Sequence, residues 1–149
     1  MRVRNLTEAD HDVWKRMRGE LWPDCPAARQ ELELRMIVQK GDAYGVLLLE
    51  SDDGRVGGFA EVSVRHGVDG AAYEDVGYLE GWYVEKDLRR RGGGRALVAA
   101  AELWARTRGL HEFGSDTGVD NEASIAAHRA LGFRESDRIV QFLKPLDPG

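Results

Sequence analysis

Residues 78–97 read YLEGWYVEKDLRRRGGGRAL, and few architectures accommodate such a run. An apolar and aromatic stretch (Tyr78, Leu79, Trp82, Tyr83, Val84) passes through a charged bend (Glu85 to Asp87) into a knot of arginine and glycine, then into an alanine-rich segment. That order predicts a strand, a turn and a helix start. Within the knot, Arg89, Gly92 and Gly94 fit the pattern R/Q-x-x-G-x-G, and Arg95, Ala96 and Leu97 open the helix. Glycines let the backbone approach a ligand closely, and the first turn of a helix offers unpaired N–H groups and the positive end of the dipole. With arginines beside it, such a turn suits a pyrophosphate. A nucleotide P-loop would need Lys-Ser or Lys-Thr after its glycines, and none follows here. A dinucleotide-binding glycine motif belongs early in a repeated βαβ array, whereas this knot lies past the middle of a short chain. The plainer reading, a solvated basic turn, ranks below an anion site because strand, knot and helix come in the required order.

The chain has 149 residues, 42% of them hydrophobic, which is the size of one ordinary domain with a real core. One domain over 1–149 is expected. The net charge of −5 argues against a nucleic-acid or membrane surface despite the local arginines, and suits a cationic partner. Cys25 is the sole cysteine, so no intrachain disulfide can form and a reducing compartment is expected. Set between Pro23 and Pro26, it reads as a partly buried, inert thiol. No apolar run reaches membrane-spanning length and the N-terminus lacks a signal-peptide core, so the cytoplasm is expected. The four histidines, His11, His66, His111 and His128, lack metal-ligand spacing, and no metal is expected.

Along the chain, Arg2 to Leu6 predicts a short strand, and Thr7 with Asp10 signals a capping box for a helix over about Glu8 to Glu20. Val13, Met17 and Leu21 should face the core. Pro26 can open a second helix over Ala27 to Gln39. Tyr44 to Glu50 and Val56 to Arg65 read as hairpin arms around the Asp52, Asp53, Gly54 turn. His66 to Asp75 is a polar connection to the central strand, long enough to suggest function or a subunit contact. Ala96 to Arg108 predicts a helix closed by Gly109, Glu112 to Thr117 a short strand, Asn121 to Leu131 the last helix, and Glu135 to Lys144 a final strand. The pattern points to an α/β domain around one mixed, mainly antiparallel sheet flanked by about four helices.

Glu80 to Leu97, taken with Asn121 to Phe133 (NEASIAAHRALGF), resembles the GCN5-related N-acetyltransferases, whose R/Q-x-x-G-x-G/A loop binds the pyrophosphate of acetyl-coenzyme A. LWPD at Leu21 to Asp24, LEGWYV at Leu79 to Val84, FGSDTGVDN at Phe113 to Asn121 and HRALGF at His128 to Phe133 are similar to the aminoglycoside 6′-N-acetyltransferases. The resemblance covers nearly the whole chain and implies that fold, acetyl-coenzyme A as cosubstrate and a homodimer.

An alkylammonium acceptor must lose a proton before its nitrogen can attack a thioester, and the tetrahedral oxyanion then needs a donor. The resemblance turns Glu80 and Asp116 toward the acceptor, with Asp116 the expected general base and Glu80 an anchor that shares the role. It places Trp22 at the acceptor site, and adds Asp137 as a further acidic contact. The plainer reading of any one of these carboxylates is a solvated group or a partner for a surface arginine. On the cofactor side it implies strand-like pairing of Trp82, Tyr83 and Val84 with the pantetheine arm, the Val84 amide serving as oxyanion donor. Arg89, Arg90, Arg91, Gly92, Gly93, Gly94 and Arg95 would hold the pyrophosphate, and Asn121 would contact the pantetheine arm. Many family members carry a tyrosine where this chain has His128, so cofactor-side packing and acid catalysis both stand for that residue. The 6′-amine of an aminoglycoside is the expected acceptor. A polyamine, small amine or peptide amine is the rival within the family, and a non-catalytic acyl-coenzyme A sensor the rival outside it.

Overall fold

The computed structural model describes residues 1–149 and divides them into two units, Met1–Asp116 and Thr117–Gly149. In the first unit five strands pair in chain order: β1 (Arg2–Asn5), β2 (Tyr44–Glu50), β3 (Val56–His66), β4 (Asp75–Val84) and β5 (Phe113–Ser115). The first three pairings are antiparallel, and β4 with β5 is parallel. The expectation of a mixed, mainly antiparallel sheet holds. Helices α1 (His11–Leu21) and α2 (Ala27–Gln39) lie between β1 and β2, and α3 (Gly93–Arg106) between β4 and β5.

Strand side chains alternate, so each strand serves two layers. Tyr44, Val46 and Leu48 of β2 and Phe59 and Glu61 of β3 face α1 and α2, where Trp14, Met17, Leu34, Ile37 and Phe59 form a closed cluster. A fully buried large apolar side chain contributes about 2 kcal/mol. Trp14, Met17 and Leu34, all completely buried, therefore fasten both helices to the sheet. On the opposite face, Gly45 and Gly77 leave room for Trp104 and Ala105 of α3, whose Leu97, Val98, Ala101 and Ala105 are buried.

The predicted capping box forms, with Asp10 accepting from both the N–H and the hydroxyl of Thr7 at 2.8 Å. It caps a 3-10 turn over Glu8–Asp10, and the α-helix proper begins at His11. Asp10 also takes two hydrogen bonds from the Arg4 guanidinium. Helix α3 starts at Gly93, three residues before the predicted Ala96, because the flexible glycines enter the helix instead of preceding it. The expected link from His66 to Asp75 is shorter than predicted, since those two residues pair with each other as the mouth of the β3–β4 hairpin.

The second unit contains α4 (Glu122–Ala130), closed by Leu131 and Gly132. The strand predicted over Glu135–Lys144 is not formed; residues 133–149 have no regular secondary structure. Alternation supplies a strand with two faces but not with a hydrogen-bonded neighbour, and without a ladder it does not form. Ile139, Val140, Phe142 and Leu143 are accordingly 75% to 88% exposed.

Candidate active site

The register of β3 against β4 slips between Glu61 and Val62. Glu61 lies opposite Gly81 and Val62 opposite Leu79, so Glu80 is an inserted, bulged residue. A bulge places two successive residues on one side of a sheet. Glu80 meets Ser63 and Arg65 of β3, while a Cβ on Gly81 would lie 2.6 Å from the ring of Trp22. Both therefore look toward α1 and α2. Trp82 turns the other way, onto α3, where a Cβ on Gly94 would lie 3.0 Å from its ring.

Glu80 is held closely. Ser63 Oγ donates to its Oε1 at 2.7 Å, and Arg65 closes a bidentate pair, Nε to Oε1 at 2.7 Å and Nη2 to Oε2 at 2.6 Å. The Arg65 guanidinium lies 3.7 Å from the centroid of the Tyr78 ring, a cation–π stack. Its pKa is raised, chiefly by the hydrogen bond to Glu80. The Tyr78 hydroxyl in turn donates to Asp116 Oδ2 at 2.5 Å. Burial first, and then this carboxylate, push the Tyr78 phenol well above its ordinary value, so it remains a donor throughout the neutral range. Strand β5 pairs with β4 only from Gly77 to Leu79, and Leu79 lies beside Ser115. Glu80 and Asp116 are the next residues on the two strands. The structure thus joins the two predicted carboxylates through Arg65 and Tyr78, residues that sequence reading had left without a role. Their signal was positional: Ser63 and Arg65 are two and four residues beyond Glu61 on the same strand face.

Trp22 ends α1. Its ring meets Phe59 edge-on at 6.3 Å, and the Arg18 guanidinium sits 4.6 Å above its centroid. Arg18 is itself buried and donates from Nη1 to both oxygens of buried Glu61 at 2.5 Å; Trp14 Nε1 and the Tyr44 hydroxyl also donate to Glu61, at 3.0 and 2.9 Å. Four hydrogen bonds from three donor groups on one buried carboxylate satisfy a charge that would otherwise be very costly there. This network fixes the helical layer that carries Trp22.

On the cofactor side, the Glu85 N–H donates to Gly57 O, so the neighbouring pair Gly58–Val84 is of the non-bonded kind and the Val84 N–H and C=O point to the outer edge of β4. Arg89 Nε donates to that Val84 carbonyl at 2.7 Å. Arg90 is the one non-glycine residue with positive φ, at 60°, and Gly92 follows at 86° as the N-cap of α3. The first intrahelical bond runs from the Ala96 N–H to Gly92 O, so the N–H groups of Gly93, Gly94 and Arg95 have no partner within the helix. Arg89, Arg90, Arg91 and Arg95 are all exposed around them. This concave, left-handed entry into a helix has the donors and charge for a pyrophosphate.

Asn121, His128 and Asp137 lie in the second unit. Asn121 caps α4 by accepting from the Ser124 N–H at 3.1 Å. His128 Nδ1 lies 2.7 Å from the Ser124 carbonyl, which can only accept, so Nδ1 carries the proton; the ring meets Phe133 edge-on at 5.2 Å. Asp137 Oδ1 accepts from the Arg138 N–H at 2.8 Å.

A parallel splay at the edge of a mostly antiparallel sheet, beside a glycine-capped helix, defines an acyltransferase of the acetyl-coenzyme A type. The chain belongs to the acetyltransferase (GNAT) family, whose model matches residues 11–133. It is 43% identical over 148 residues to an aminoglycoside N(6′)-acetyltransferase type 1 of Stenotrophomonas maltophilia, covering 98% of this chain and 94% of that protein. Among solved structures, the apo aminoglycoside antibiotic 6′-N-acetyltransferase AAC(6′)-IG from Acinetobacter haemolyticus superposes with a TM-score of 0.91 at 35% identity, over 99% of this chain and 100% of that one. The enzyme AAC(6′)-Iy in complex with a bisubstrate analogue, CoA-S-monomethyl-acetylneamine, gives 0.89 at 32% identity, over 97% of each chain.

Proposed function

We propose that this chain transfers the acetyl group of acetyl-coenzyme A to the 6′-amine of an aminoglycoside. The observation that carries the reading is the placement of Glu80 and Asp116 just past the paired Leu79 and Ser115, linked through Arg65 and Tyr78 and next to an edge where the Val84 N–H points outward. Relatives of the same length carry that activity in their names.

In this reading the pyrophosphate rests on the N–H groups of Gly93, Gly94 and Arg95, with the neighbouring arginines adding charge, and the thioester arm runs along the outer edge of β4. The acceptor's ammonium gives its proton to Asp116, directly or through a water. The freed lone pair attacks the thioester carbonyl, and the N–H of Val84 receives the oxyanion. Collapse expels the coenzyme A thiolate, which takes up the second proton shed by the acetylated nitrogen and leaves as the thiol. Holding both reactants in one cleft supplies much of the acceleration. Glu80 anchors a second ammonium of the polycation, and Trp22 walls the acceptor side. We assign the chain to one working acetyltransferase domain, to a homodimer and to the cytoplasm, where acetyl-coenzyme A is made.

The test is initial-rate release of coenzyme A thiol with kanamycin, tobramycin, spermidine and a lysine peptide offered separately. Turnover confined to the aminoglycosides is the expected result. Turnover only with spermidine or the peptide overturns the acceptor, and silence with all four beside tight acetyl-coenzyme A binding identifies a sensor.

A further inference from the structure

Glu80, the anchor proposed above, already has a cation. Its carboxylate offers about four lone-pair positions. Ser63 Oγ, Arg65 Nε and Arg65 Nη2 take three of them. An ammonium arriving with three donors finds one position while Arg65 stays in place, and three if it leaves.

We propose that Arg65 is a resident cation of the acceptor site, which an acceptor ammonium must displace from Glu80 in order to bind. The inference rests on the acceptor reading given above. Three features favour displacement over a fixed structural pair. The Arg65 side chain is 43% exposed while that of Glu80 is 20% exposed, so the guanidinium has a route outward and the carboxylate does not. Arg65 stands one residue before the end of β3, at His66, in the exposed stretch of that strand, so its side chain can swing into solvent while its backbone stays paired with Val76. Its second contact is the face of Tyr78, which holds a guanidinium without binding it to one position. Ser63, by contrast, keeps Glu80 aimed after Arg65 has gone.

The arrangement selects for charge. An amine bearing one ammonium spends it at Asp116 and has nothing to offer Glu80, so Arg65 stays. A polycation presents one amine to Asp116 and a second ammonium to Glu80, and only this second contact replaces the resident pair. Arg65 is therefore a specificity-determining residue, favouring polyamino acceptors over simple amines and setting acceptor KM through competition.

Two measurements on the full chain test this. In steady-state kinetics, Arg65→Gln removes the competitor and should lower KM for tobramycin about 5-fold, the factor expected for losing one partly exposed ion pair, with KM for acetyl-coenzyme A unchanged. Arg106→Gln on α3 is the control for charge alone, expected to move the tobramycin KM by less than about 2-fold. A raised tobramycin KM in Arg65→Gln, or a fall equal to that of the control, overturns the proposal. In the second measurement, nitrogen-15 spectra resolve the Arg65 Nε–H, assigned by its loss in Arg65→Gln. Tobramycin should shift this resonance away from its ion-paired position. Turnover of tobramycin with an unmoved Arg65 resonance keeps the acetyltransferase reading and sinks the displacement; a shifted resonance with no turnover supports displacement and sinks the catalytic reading.

Discussion

Asp116 accepts from the Tyr78 hydroxyl through Oδ2, and in the function proposed above its Oδ1 is the oxygen that takes the acceptor's proton. Asp116→Asn keeps the shape and the contact to the phenol but removes the proton acceptor. We expect kcat to fall by about 100-fold or more, the usual worth of a general base, with KM for acetyl-coenzyme A unchanged. Unchanged turnover would take Asp116 out of that role. His128 is different. With Nδ1 donating to the Ser124 carbonyl, a neutral ring has no proton on Nε2 to give to a leaving thiolate. His128→Ala should therefore lower kcat by less than about 10-fold, below the range of a general acid, and a larger loss measured under saturation would restore the acid role. At this scale the neighbouring positions of Glu80 and Asp116, at the ends of two strands, were legible because short motifs frame them. Arg65 and Tyr78 were not, since their importance comes from cross-strand register, which a bulge reset and which local pattern does not reveal.

The entry into α3 shows an element whose conformation and chemistry coincide. Gly92 has φ 86°, and a Cβ there would meet no neighbouring atom, so the cost of Gly92→Ala is backbone strain of about 1 to 2 kcal/mol. The loop should relieve that strain by turning its N–H groups away from a common centre. KM for acetyl-coenzyme A should rise several-fold while the acceptor KM holds steady, which steady-state kinetics with each substrate varied will show. Helices α1 and α2, the β2–β3 hairpin and the strand–knot–helix order were readable from periodicity and turn residues, because each is fixed by local chemistry. The segment 135–144 was misread for the opposite reason: alternation describes a strand's faces, whereas its existence depends on a neighbour elsewhere in the chain.

For the first unit as a whole, stability at low pH hinges on the tie between β1 and the start of α1. Arg4 donates to both oxygens of Asp10 at 2.8 and 2.9 Å and to Glu50 of β2 at 2.6 Å. The Arg4 guanidinium holds the Asp10 carboxyl far below the usual carboxylate range, with Thr7 assisting against the cost of burial. A folded-state pKa below the unfolded one means that the stabilisation is complete above the unfolded value, near 4, and is lost as pH falls from there toward the folded value. Asp10→Asn should cost about 2 kcal/mol at pH 7, the scale of a charge-assisted hydrogen bond lost from a mostly buried site. By pH 3 the gap between variant and parent should narrow. Urea denaturation at the two pH values checks both statements, and a gap that widens in acid would contradict the assignment.

The bulge at Glu80 also settles a matter of parity. Tyr78 and Tyr83 are five positions apart, and in an uninterrupted strand they would sit on opposite sides of the sheet. The added residue brings them to the same side and sends Trp82 to the other. One strand thereby presents Tyr78, Glu80 and Tyr83 on one side of the sheet from either side of a single break. Insertions and deletions near this point are then not neutral changes of length. Removing one residue would exchange the rings of Trp82 and Tyr83 between layers, and the chain would have to rebuild two cores at once, so variation in acceptor range must come by substitution rather than by altered spacing.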